Sequence, residues 1–150
     1  MDMKKRVYIV MALMLLTLTG VVAQSYLRQG SSEYGKVLYN WDGRNLRQGS
    51  SQYGKVIVNW DGEYIREGMS GYGKVLYNWD GKHLRRGTSG YGNVLYNWDG
   101  KYIRKGGSMY GTIIYNFDGK KVRQGRSIYG EVLYNVDGKL PVAVLIYLVE

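Results

Sequence analysis

Apolar and polar positions alternate along most of the chain in short runs broken by turn residues. Lys36 to Tyr39 is followed by Asn40-Trp41-Asp42-Gly43, and Arg44 to Gln48 by Gly49-Ser50-Ser51-Gln52-Tyr53-Gly54. The runs are too short for helices and rich in Val, Leu, Ile and Tyr, so they read as strands. Asp-Gly between apolar alternations is a strong hairpin signal. Gly-x-Ser-x-Tyr-Gly suits a tighter, irregular loop. The pattern recurs at a fixed interval. The tyrosine of the Tyr-Gly pair falls at 34, 53, 72, 91, 110 and 129, nineteen residues apart each time, and the aspartates and arginines keep step. Six units cover Tyr26 to Lys139 without insertion or deletion, which predicts a repeat architecture of six hairpins and twelve short strands in up-and-down order.

The turn sets the register. Asn-Trp-Asp-Gly favours a type I turn on Trp41 and Asp42, with Gly43 in the left-handed region, where a residue lacking Cβ meets no clash. Asn40 and Asp42 are suited to bonding nearby amides, a backbone role. In that register Asn40 faces Arg44 and Leu38 faces Leu46, and across the second loop Arg47 pairs with Val56. The row Leu38, Leu46, Ile57, Ile65, Leu76, Leu84 and onward to Leu133 then forms one aliphatic stripe, with tyrosines and His83 on the opposite face. A two-residue type I′ turn would exchange the faces of one strand in each hairpin.

An open sheet with one aliphatic face leaves sticky edges. The expected remedy is closure as a barrel or roll, with a hairpin solenoid or a two-layer sandwich as alternatives. Strands of six or seven residues that each carry an arginine do not suit an outer-membrane barrel, whose strands need about 9–11 residues. After Lys139 the repeat stops, and residues 140–150 form an apolar segment too short to span a membrane. It is expected to pack on the aliphatic stripe as a plug or cap, as repeat arrays require.

The first 23 residues have a different character. Lys4, Lys5 and Arg6 precede the apolar run Val7 to Leu18, and Val21-Val22-Ala23 offers a cleavage site before Gln24. This predicts an exported protein, periplasmic, cell-surface or extracellular, with no transmembrane span in the mature chain and residues 24–139 as its repeat domain. There is no cysteine, so stability must come from packing and backbone pairing. Loss of three cations and one aspartate with the leader takes the formal charge from +9 to +7. Such a balance suits an acidic partner, an envelope glycan or other anionic polymer, more than nucleic acid, although excess charge also keeps a repetitive β protein soluble.

Nothing forms a catalytic constellation. The single histidine, His83, stands where sibling units hold Asn45, Tyr64, Tyr102 and Lys121, so it reads as a strand position rather than a general base. One aspartate per unit is too sparse for the six to eight oxygens of a calcium site. No metal or cofactor is expected. The aromatic content is the unusual feature. Trp41, Trp60, Trp79 and Trp98 sit at successive turns, and with Tyr39, Tyr77 and Tyr96 they form a candidate stacking platform for sugar rings, with Arg47, Arg66, Arg85 and Arg104 meeting acidic groups. The competing reading is cross-strand packing.

Tyr39-Asn40-Trp41-Asp42-Gly43 with the following Arg47-x-Gly49 resembles the hairpin core of choline-binding-type cell-wall repeats over about half of each unit. That resemblance implies β-hairpin units holding glycan or choline groups between aromatic side chains. The Gly-Trp pair that completes the family's binding box is absent, and Gly49-Ser50 stands in its place. Nearly the whole chain is similar to small exported tandem-hairpin proteins with Arg-x-Gly-Ser-Ser-x-Tyr-Gly repeats, a likeness that implies a fold more than an activity. The expectation is therefore an all-β, exported, non-enzymatic binding module for an acidic or polymeric ligand. The alternative is a structural protein that self-associates.

Overall fold

A computed structural model describes Met3 and residues 23–150. The expected leader lies outside the described residues, apart from Met3 and Ala23. Twelve antiparallel strands close into one barrel. They are β1 (Ser25–Gln29), β2 (Val37–Trp41), β3 (Asn45–Gln48), β4 (Val56–Trp60), β5 (Tyr64–Glu67), β6 (Val75–Trp79), β7 (His83–Arg86), β8 (Val94–Trp98), β9 (Tyr102–Lys105), β10 (Ile113–Phe117), β11 (Lys121–Gln124) and β12 (Val132–Asp137). Each strand pairs with its sequence neighbour, and β1 closes the ring on β12, with Leu27 opposite Val136. Five hairpins are continuous in sequence. The sixth is divided between the two ends of the repeat region.

The hairpin register differs from the sequence expectation. Tyr39 pairs with Gln48, Asn40 with Arg47 and Trp41 with Leu46, so β3 is displaced three residues relative to β2. The cause is the aspartate. Asp42 Oδ1 accepts the amides of both Arg44 (2.9 Å) and Asn45 (2.7 Å), which draws a longer turn closed by Asp42 N–H to the Asn45 carbonyl. Gly43 does take the left-handed region, at φ 98°. An odd displacement exchanges faces. Arg47 pairs with Val56 as expected, but Leu46 pairs with Val58, leaving Ile57 as the extra residue of a β-bulge.

The single aliphatic stripe is therefore corrected to two rows. Leu27, Leu46, Ile65, Leu84, Ile103 and Val122 point inward and are buried. Leu38, Ile57, Leu76, Leu95, Ile114 and Leu133 fall at the bulges and are only half-buried. The inward wall is completed by the Tyr39 row and the Trp41 row, which belong to the same packed clusters.

The segment after Lys139 fills the lumen. Val142–Val149 forms helix α1, with Ala143, Val144, Leu145 and Ile146 fully buried among the inward rows. Dimensions explain the fit. Twelve strands about 4.8 Å apart close round a radius of roughly 10 Å, which leaves room for one helix once the inward side chains are placed. Eight residues of helix span about 12 Å, close to the height of a four- or five-residue strand. Val and Ile are modest helix formers. A closed barrel, however, offers no free strand edge, so a buried segment satisfies its backbone groups only by bonding to itself. A helix apolar all round is the form that results. Among the described residues no helix is long and apolar enough to cross a membrane.

Candidate functional site

The outer wall is built from three interlocking devices, one set per unit. The first is an ion pair. Arg28, Arg47, Arg66, Arg85, Arg104 and Arg123 pair with Asp137, Asp42, Asp61, Asp80, Asp99 and Asp118 respectively. Burial works against the charge of Asp42, but the Arg47 guanidinium and the amides of Asn45 and Arg44 outweigh it and lower the pKa to about 2. Asp61 and Asp118 are lowered to about 2 by their own amide and arginine partners against the same burial. Asp80 and Asp99 are also lowered.

The second device is a buried asparagine. Asn97 Nδ2 donates to the carbonyls of Gly106 (2.7 Å) and Ser108 (3.1 Å), and Asn40, Asn59, Asn78 and Asn116 make the same pair of bonds in their units. These bonds pull each Gly-x-Ser loop back along the outside of the barrel. The asparagine was expected to serve its own turn; it instead holds the following loop.

The third device is the loop tip. Ser32 Oγ accepts the amide of Tyr34 at 3.1 Å, and the five sibling serines do likewise within 3.2 Å. The tyrosine side chains are left in solvent. Tyr34, Tyr53, Tyr72, Tyr91, Tyr110 and Tyr129 are 88–103% exposed. Six exposed rings at equal sequence intervals encircle the barrel.

The residues singled out from sequence lie elsewhere. Trp41 is 4% exposed, and Trp60, Trp79 and Trp98 are half-buried in the core clusters around α1. Trp41 and Trp60 pack at 6.5 Å between ring centres, and Trp98 meets Phe117 at 6.2 Å. Tyr39, Tyr77 and Tyr96 also face inward, and Tyr77 stacks edge-on against Tyr147 of the helix at 6.0 Å. Burial and a hydrogen bond with Glu150 push the Tyr77 hydroxyl up to about 12. Arg47, Arg66, Arg85 and Arg104 are held by their aspartates, with side chains 11–16% exposed. Arg66 and Arg104 also lie over the rings of Tyr64 and Tyr102 at 5.1 and 5.3 Å. The structure thus joins the tryptophans and the tyrosines of the Tyr39 row inside the barrel and separates them from the arginines outside.

Gly-x-Ser-x-Tyr-Gly reads as a turn, which leaves the exposure of the loop tyrosines out of the sequence expectation. One signal was present. A large aromatic residue recurs six times between turn residues, with no alternating apolar partner that would bury it.

A closed ring of tandem hairpins around a central helix defines the class, an all-β tandem-repeat barrel. The profile of the "6-fold beta flower protein" family matches residues 27–145, and the chain belongs to that family. Neither a curated protein nor a solved structure matches the chain.

Proposed function

We propose that this is an exported, non-enzymatic binding module for an acidic or polymeric ligand of the cell envelope or extracellular space, such as a glycan. The observation that carries the reading is the ring of six tyrosines, Tyr34 to Tyr129, whose side chains are almost wholly in solvent. An exposed aromatic ring presents an apolar face with a polar hydroxyl, which suits stacking on a sugar. Weak contacts repeated round one rigid barrel engage a repeating polymer with gain from avidity. The contact surface moves from the tryptophans, which serve packing, to the loop tyrosines.

The test is co-sedimentation of the purified protein with peptidoglycan, together with fluorescence titration by soluble acidic polysaccharides. Retention is expected to fall stepwise as Tyr53, Tyr72 and Tyr110 are changed to Ser, with the melting temperature unchanged. Failure to retain any polymer, or retention indifferent to all three substitutions, would overturn the reading. Oligomers that form without polymer and vanish in the triple variant would favour self-association through the same loops.

A further inference from the structure

The six Arg–Asp pairs cancel within the wall, so the excess positive charge sits on other residues. Five of the six hairpin turns carry a cation two residues after the aspartate: Arg44, Lys82, Lys101, Lys120 and Lys139, with Glu63 the exception. In three units the loop folds back far enough to meet the turn two places earlier round the ring. Tyr34 and Lys120 line one groove of about 440 Å3. A Cβ added at Gly71, beside Tyr72, would lie 3.2 Å from Arg44. Arg126, in the loop that ends at Tyr129, brings its charge to the Tyr102 hydroxyl beside Lys101. By the nineteen-residue repeat we infer the same pairing in the other three units, Tyr53 with Lys139, Tyr110 with Lys82 and Tyr91 with Glu63.

One groove shows how a carboxylate is received. Glu33, next to Tyr34, forms an ion pair with Lys120 across the groove. In the sibling units its place is taken by Gln52, Gly71, Gly90, Met109 and Ile128, none of which brings a carboxylate. By that repeat, four grooves pair an exposed tyrosine with a ring cation and have no acidic residue at the Glu33 position.

Resting on the binding-module reading above, we propose that these four grooves are subsites for carboxylate-bearing sugars of an acidic polysaccharide. The sugar ring stacks on the loop tyrosine, and its carboxylate takes the position on the cation that Glu33 occupies on Lys120. The groove at Tyr91 repels the same group through Glu63, and in the groove at Tyr34 the cation is already taken by Glu33.

Oligogalacturonate and a neutral galactan oligomer of equal length are titrated against the purified protein. Arg44→Gln and Lys139→Gln should each weaken oligogalacturonate roughly two- to five-fold, as loss of an exposed ion pair does. Glu63→Lys and Glu33→Gln should tighten it, a gain that damage to the fold does not produce. Added salt should weaken the acidic oligomer more than the neutral one. Equal affinity for the two oligomers, or affinities unchanged across the four variants, would overturn the subsite while leaving tyrosine-mediated binding intact. Binding of neither oligomer, nor of any envelope polymer, would overturn both.

Discussion

Arg28 reaches Asp137 at 3.3 Å, joining the first strand of the barrel to the last. The five sibling pairs each lie within a continuous hairpin, five residues apart in sequence; this one spans 109. The ring is closed by the same chemistry that builds each unit, applied across the seam. Ser25 completes the joint, with its Oγ accepting the Lys139 amide at 2.9 Å.

The seam predicts a difference between two glycines. Gly119 and Gly138 both have positive φ, 92° and 96°, so alanine at either is strained by about 1–2 kcal/mol. At Gly119 a Cβ meets nothing within 4 Å, whereas at Gly138 it falls 2.5 Å from Ser25 Oγ and 2.9 Å from its Cβ. Gly138→Ala is expected to destabilise clearly more than Gly119→Ala in urea unfolding. Equal losses would mean that the seam yields as easily as an open turn.

Asn97 is fully buried and holds two carbonyls of the following loop. Asn97→Ala removes both bonds and leaves those acceptors without the donor, a cost of about 1–3 kcal/mol. Amide exchange should quicken in the loop from Gly106 to Gly111, while β2 and β3, on the other side of the ring, keep their protection. Uniform loss of protection would show that the asparagine supports the whole barrel rather than its own loop.

The helix predicts a core effect from a segment outside the repeat. Ile146 is fully buried among inward residues of the strands, so Ile146→Ala should cost about 2–5 kcal/mol. Deleting residues 140–150 empties the lumen and exposes the inward rows, and aggregation is the expected result by size-exclusion chromatography. A truncated protein that stays monomeric and melts as before would show the repeats to be self-sufficient.

Acid should unfold the barrel through its turns. Burial opposes the charge on Asp42, Asp61 and Asp118, yet amide and arginine partners lower each to about 2. A carboxylate whose pKa is lower in the folded state contributes its full stability above the unfolded value of about 3.9 and loses it as pH falls through the folded value. The urea midpoint is expected to hold near pH 5 and to drop between about pH 4 and pH 2. Asp42→Asn should flatten that slope in proportion to its share, because asparagine keeps an amide acceptor but not the charge. A midpoint independent of pH down to 2 would remove the ion pairs from the stability of the fold.

The alternation of Val37 to Tyr39 and Asn45 to Gln48, the Asp-Gly turns and the nineteen-residue interval were enough to read strands, hairpins, their number and their order. These are local properties: side-chain period, turn chemistry and the exact recurrence of both. Closure was also legible in outline, since twelve short strands with one apolar face need their edges covered.

Which side chains face the lumen was not legible, because one aspartate decided it. Asp42 draws two amides into its turn, shifts β3 by three residues, and so sends Trp41, Tyr39 and Leu46 inward together. A residue pattern with apolar side chains on both sides of the strand fits either register, and only the closed ring with a helix inside it selects between them. The same holds for the tail. Pro141 to Val149 is an apolar run with four β-branched residues that becomes a helix only because the surrounding barrel leaves no strand edge to pair with. The pairing of Tyr34 with Lys120 lies furthest from sequence, since the two are 86 positions apart and meet only where the ring joins its ends.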